Sequence, residues 1–240
     1  MIARLTGTLA CALLLAAPAL AQEEADDQGP WSGKIALGYL ATSGNTESTS
    51  LNTAAELGLT HGNWSHLLDM TAIFAEENDT TNAEAYKVGW KSEYNFSEHD
   101  FLFGRAIWRK DRFSGYDQQF SQTVGYGRRL IDTERHKLSA EIGAGARQSD
   151  LADGTSENDT ILRGGLQYRL ALSETSLFSQ DLSVESGSTN VYTESVTALK
   201  TRLLNDLALV ASYTIKNNSD VPVGLEKTDT YTALSLEYAF

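Results

Sequence analysis

Apolar and polar residues alternate from Trp31 to Phe240, in runs separated by short clusters of Gly, Asn, Asp or Ser. Strict alternation puts one set of side chains on each face of a β-strand, and the clusters supply turns. The first run, Gly33 to Ala41, sets Ile35, Leu37 and Tyr39 on one face. The second, Ser48 to Thr60, groups Leu51, Ala55, Leu57 and Leu59 against Asn52, Glu56 and Gly58. The third starts at Trp64 and carries Leu68, Met70, Ala72 and Phe74 opposite Asp69 and Thr71. The fourth is the clearest: Tyr86, Val88, Trp90, Tyr94 and Phe96 oppose Lys87, Gly89, Lys91, Glu93 and Asn95. The fifth, Phe101 to Phe113, does not sort cleanly, because Arg105, Arg109 and Asp111 share a face with Phe101, Phe103 and Ile107. The sixth, Gln118 to Ile131, places Phe120, Val124, Tyr126 and Leu130 opposite Gly125, Gly127 and Arg129. The seventh sets Leu138, Ala140, Ile142 and Ala144 against Ser139, Glu141, Gly143, Gly145 and Arg147. The eighth sets Leu162, Leu166, Tyr168 and Leu170 against Arg163, Gly165, Gln167 and Arg169. Runs near Leu177–Glu185, Val191–Leu203 and Leu207–Lys216 lead to a terminal strand in which Leu234, Leu236, Tyr238 and Phe240 share a face.

The connections alternate in size. Those after the even-numbered runs are tight (His61–Asn63, Ser97–His99, Asp132–Arg135, Ser173–Glu174, Asn205–Asp206), and most of the others are longer and acidic. Outer-membrane barrels show this asymmetry, with short periplasmic turns and longer outer loops, and crossing the bilayer takes roughly 9–11 residues per strand. The pattern predicts an all-β protein: a transmembrane antiparallel up-and-down β-barrel of about twelve strands, with ten as the alternative count. Trp64, Tyr94, Phe96, Phe101, Tyr238 and Phe240 lie near tight turns or the C-terminus, where one interfacial girdle is expected. The polar faces are expected to line the lumen through Lys87, Lys91, Glu93, Arg105, Arg109, Glu141, Arg163 and Arg169.

Residues 1–21 have the form of a secretory signal: Arg4, an apolar run from Leu5 to Leu20, and Ala19-Leu20-Ala21 as the cleavage site. Cys11, the sole cysteine, lies inside that run; a lipoprotein anchor there is disfavoured because the run continues past it. The expected organisation is a signal over 1–21, a flexible acidic segment over 22–30 and a barrel over 31–240. After the signal there is no apolar run of the roughly 18 residues that a membrane helix needs, which leaves a barrel open. A formal net charge of -13 with no basic patch argues against a nucleic-acid partner.

Tyr238 and Phe240 match the aromatic positions of the C-terminal signal read by the barrel-assembly machinery, although Ser235 stands where Gly is usual and Ala233 where a polar residue is usual. Two stretches carry a wider resemblance. One is Trp31 to Thr46, WSGKIALGYLATSGNT; the other, Tyr94 to Leu130, contains NFSEHDFLFGRAIWRKDRFSGYDQQ and then VGYG at Val124–Gly127. They resemble the YdiY-like family, the domain of unknown function 481, whose members are often labelled salt-induced outer membrane proteins. The resemblance implies an outer-membrane barrel and supplies no catalytic residues; the link to salt rests on the family label alone.

No chemical motif emerges. His61, His66, His99 and His136 fall in or near tight turns, and His99-Asp100 as base and orienter is disfavoured because adjacent strand residues point to opposite faces. There is no G-x-S-x-G, no phosphate loop and no metal-ligand spacing. No cofactor is expected. The acidic segments (Glu76, Glu77 and Asp79; Asp150, Asp153, Glu157 and Asp159) read as solvated loops, with bridging to lipopolysaccharide through divalent cations as the sharper alternative. Membrane lipid, lipopolysaccharide and the assembly machinery are the expected partners. Three functions stay open: a small passive channel or envelope-integrity protein, favouring anions if the arginines form a bare ladder; a filled structural barrel; and a surface enzyme acting on lipid or peptide.

Overall fold

A computed structural model of the chain describes residues 29–42, 48–77, 80–111, 116–221 and 224–240. The segment read as a signal, almost all of the acidic segment after it, most of the Thr42–Thr46 turn and Asp79 lie outside the described residues.

Twelve strands close into an antiparallel barrel in which each pairs with its sequence neighbours and the last returns to the first. They are β1 (Trp31–Thr42), β2 (Ser48–His61), β3 (Trp64–Glu77), β4 (Thr80–Asn95), β5 (Asp100–Asp111), β6 (Tyr116–Asp132), β7 (His136–Leu151), β8 (Ser156–Ala171), β9 (Ser176–Ser186), β10 (Val191–Leu204), β11 (Leu207–Asn218) and β12 (Thr228–Ala239). Closure pairs the first strand with the last, which suits a bilayer that offers backbone groups no other partner. Both ends of the barrel wall lie at the tight-turn end. There Gly33 and Phe240 exchange backbone hydrogen bonds of 2.8 and 2.9 Å.

The turns are built locally. Gly62 takes a φ of 57° between β2 and β3, a conformation that costs glycine little. Ser97 Oγ accepts the backbone N–H of Asp100 at 2.9 Å, and Thr133 Oγ1 does the same for His136 at 2.9 Å. At the other end, Gly154 has a φ of 86° and Asp153 accepts both the N–H (2.9 Å) and the hydroxyl (2.6 Å) of Thr155. Those two bonds hold the Asp153 carboxyl below the usual carboxylate range.

The apolar face is outside. Leu37, Tyr39, Trp90, Val124, Ile142, Leu162, Leu234 and Leu236 are all exposed, as a lipid-facing band requires. At the tight-turn end Trp64 packs on Tyr94 (5.0 Å between ring centroids), Phe96 on Tyr126, and Tyr238 on Phe240. Phe101 is not part of this girdle. It is 2 % exposed and points inward, together with Phe103 and Ile107. This settles the fifth run: the face that mixes Phe101, Phe103 and Ile107 with Arg105 and Arg109 is the lumen face, and the smaller Gly104 and Ala106 flank Leu102 and Trp108 outside. The packing works because glycines stand opposite. A Cβ on Gly127 would lie 2.2 Å from the Phe101 ring, and one on Gly125 2.8 Å from Phe103.

The acidic segments are mostly strand. β3 runs to Glu77 and β4 begins at Thr80, while β7 runs to Leu151 and β8 begins at Ser156. The ladders continue through the polar residues because backbone pairing does not depend on their side chains. The carboxylates then diverge: Asp150 takes Gln118 and Ser156, Asp153 caps its turn, and Asp159 turns inward to Arg147. Among the described residues they form no metal-binding group.

Candidate functional site: a lumen of paired charges

Period-2 geometry sends every second side chain into the lumen, where each charge needs a partner or water. The centre of the network is Glu185 on β9, which is 0 % exposed. Arg109 of β5 reaches it with two bonds of 3.0 and 3.1 Å, in the bidentate manner of a guanidinium on a carboxylate. Arg163, its register neighbour on β8, adds a third bond at 3.0 Å. The Arg109 guanidinium also lies over the Tyr192 ring at 4.5 Å. Tyr192 donates to Glu194 at 2.8 Å, and Lys87 pairs with the same carboxylate at 2.6 Å.

Arg147 and Asp159 form a second cluster toward the long-loop end. Arg147 Nη2 donates to Asp159 at 3.0 Å and to the Asn190 carbonyl at 2.7 Å, and Ser188 donates to Asp159 at 2.6 Å. Toward the tight-turn end Lys91 sits between Glu141 and Glu93, at 2.7 Å from the latter, with the Phe101 and Phe103 rings about it. Glu93 in turn faces Arg129 at 3.5 Å. Arg105 faces Asp69 at 3.5 Å and Arg169 faces Asp181 at 3.0 Å.

All eight residues read from the sequence as lumen-lining are on this inward face, but the four arginines do not make a bare cationic ladder. Each has an acid opposite it. Asp69, which faces Arg105, was placed on a polar face from the sequence; the other acids were not, since Glu185, Asp181 and the Lys87 partner Glu194 lie on runs left without a face assignment, and Asp159, the partner of Arg147, was read as loop. Arg147 stood on the polar face of the seventh run with Glu141, but was left out of the lumen-lining set.

Two cavities flank the network. The upper one, about 240 Å³, lies toward the long loops and is lined by Tyr116, Tyr192, Tyr231, Lys87, Lys216 and Val196 among others. The lower one, about 380 Å³, opens among the turns at the other end, beside Lys200, Arg202 and Asn205. Lys200 pairs with Glu237 at 2.5 Å at its rim.

In the His99-Asp100 pair, the Asp100 carboxylate accepts from Ser97 (2.9 Å), Tyr126 and Arg128 (3.2 Å). His66 faces outward, stacked between Trp64 and Trp90, and bonds Ser92 at 2.7 Å.

Residues 35–240 match the family described as "Protein of unknown function, DUF481". The chain belongs to the DUF481 family. An uncharacterized Escherichia coli K12 protein, YdiY, is 34% identical over 221 residues, covering 90% of this chain and 86% of that protein. Among solved structures, the COG4313 outer membrane channel from Pseudomonas putida F1 aligns with a TM-score of 0.53 at 11% identity, over 90% of this chain and 97% of the other. The fold of this DUF481 chain is thus that of an outer-membrane-type barrel.

Proposed function

We propose that this protein is an outer-membrane barrel acting as a narrow passive channel for small solutes, with a waist drawn shut by ion pairs. The observation that carries the reading is the fully buried Glu185 holding Arg109 and Arg163, with a cavity toward each end of the lumen. A wide porin keeps an aqueous channel, whereas about twelve strands leave room that side chains can nearly fill. Because the lumen cations are matched by acids, anion preference is weak. The C-terminal strand, with Tyr238 and Phe240, is the segment offered to the assembly machinery.

Single-channel recording in a planar bilayer tests this. The wild-type barrel is expected to give small unitary steps. Lys91→Ala with Glu141→Ala removes one charge of each sign and leaves Glu93 paired with Arg129. This double variant should raise the unitary conductance several-fold. A silent wild type together with a silent double variant would favour the filled structural barrel, for which the burial of Glu185 and Arg147 also speaks.

A further inference from the structure

The ladder between β1 and β12 is short. It runs from the Gly33–Phe240 bonds to the pair Leu37↔Leu236 and stops. β1 pairs with β2 all the way to Thr42, and β12 pairs with β11 from Thr228. Among the described residues, Gly38–Thr42 and Thr228–Ser235 therefore face each other without a regular ladder, at the long-loop end. The strands are still adjacent at Gly38, where a Cβ would lie 2.7 Å from the Leu234 carbonyl oxygen. The same part of β12 lines the upper cavity through Tyr231, Ala233 and Ser235. The cavity thus lies behind a stretch of wall that is not zipped.

Its chemistry is two-sided. Ile73, Ala85, Val196 and the tyrosine rings supply apolar surface. Deep polar groups are held tightly, as at Lys87–Glu194. Near the mouth the contacts are longer: 3.3 Å for Lys216 to Asp111, and 3.4 Å for the hydroxyls of Tyr231 to Asp111 and Tyr116 to the Asp220 carbonyl. Such contacts exchange readily for those of a ligand. The three lining lysines, Lys87, Lys110 and Lys216, are each answered by a carboxylate (Glu194, Asp117 and Asp111), and Asp229, the register partner of Lys216, adds another acid. A net-negative head finds no spare cation here. The cationic end of a zwitterion can take the place of Lys216, whose Nζ lies 4.7 Å from the Tyr231 ring centroid beside Asp229.

We infer that the upper cavity binds a single-chain zwitterionic amphiphile of the phosphocholine type, its head inside the barrel and its chain leaving between β1 and β12 into the bilayer. This goes beyond the channel reading, since access is lateral and does not depend on the waist.

Native mass spectrometry of the barrel in maltoside micelles, with added lysophosphatidylcholine, tests the assignment. One bound lipid is expected, with lysophosphatidylglycerol bound about tenfold more weakly, a difference of about 1.4 kcal/mol. Tyr39→Cys with Leu234→Cys, the next outward pair beyond Leu37↔Leu236, should lock the seam on oxidation and abolish binding, and reduction should restore it. Ala233→Leu or Val196→Trp, which fill the cavity, should also abolish binding. Lys91→Ala with Glu141→Ala should not affect it, so failure of the channel reading is scored separately. Absence of any bound lysolipid, equal binding of the two lipids, or binding indifferent to the seam lock would each overturn the proposal.

Discussion

Glu185→Ala is expected to destabilise the barrel by about 3–5 kcal/mol, the range for breaking a buried ion pair from one side. The carboxylate is fully buried and takes three guanidinium bonds. Its removal leaves Arg109 and Arg163 near one another without the carboxylate that both of them bond. Most of the loss is the penalty of stranding those cations, so Glu185→Gln, which keeps an acceptor, should fall between. Asp181→Ala is the control: its pair with Arg169 is over a third exposed on both sides, and such pairs contribute about 0–1 kcal/mol. Denaturant titration in micelles reads the difference, and equal midpoints for Glu185→Ala and Asp181→Ala would sink the account. The pairs are not thereby a net source of stability, since a well-packed apolar lumen would serve as well or better.

Gly145→Ala is expected to be the most damaging of the glycine substitutions. Its Cβ would sit 1.8 Å from the backbone oxygen of Gln122 and 2.8 Å from the Cα of Thr123, both on β6. Backbone cannot step aside as a side chain does, so β6 and β7 must separate. Overpacking costs about 1–3 kcal/mol and sometimes more, and here it falls on a ladder that runs the length of two long strands. Gly127→Ala meets only the Phe101 ring and should cost less. Gly104→Ala and Gly164→Ala meet nothing within 4 Å and should stay within about 0.5 kcal/mol of wild type. A Gly145→Ala barrel as stable as Gly164→Ala would show that the two strands do not approach as described.

The barrel was legible because alternation is a local property that survives any closure. The succession of runs, the faces of most of them and the tight turns can be read from neighbours two residues apart. What alternation does not carry is the identity of partners across the lumen. Lys87 and Glu194 are far apart in sequence, and nothing near either names the other. The fifth run was ambiguous for a related reason: a lumen that is partly filled admits Phe101 and Phe103 beside Arg105, so hydrophobicity no longer marks the outer face. Phe101 near a tight turn fits a girdle by position, and only the opposing Gly127 shows that space for it lies inside. The acidic segments misled in the opposite way, since charge is a poor sign of loop where a ladder extends past the bilayer.

The pairs across the lumen tie together strands that no single hairpin contains: β4 to β10 through Lys87 and Glu194, and β5 to β9 through Arg109 and Glu185. Such ties cannot form while the sheet is still flat. They need the sheet to have curled on itself, and are expected to form late in folding. Contacts made after the rate-limiting barrier leave the folding rate alone and slow the reverse reaction. The charged interior is therefore a kinetic latch, thrown once the cylinder has closed and measurable in how slowly the barrel comes apart.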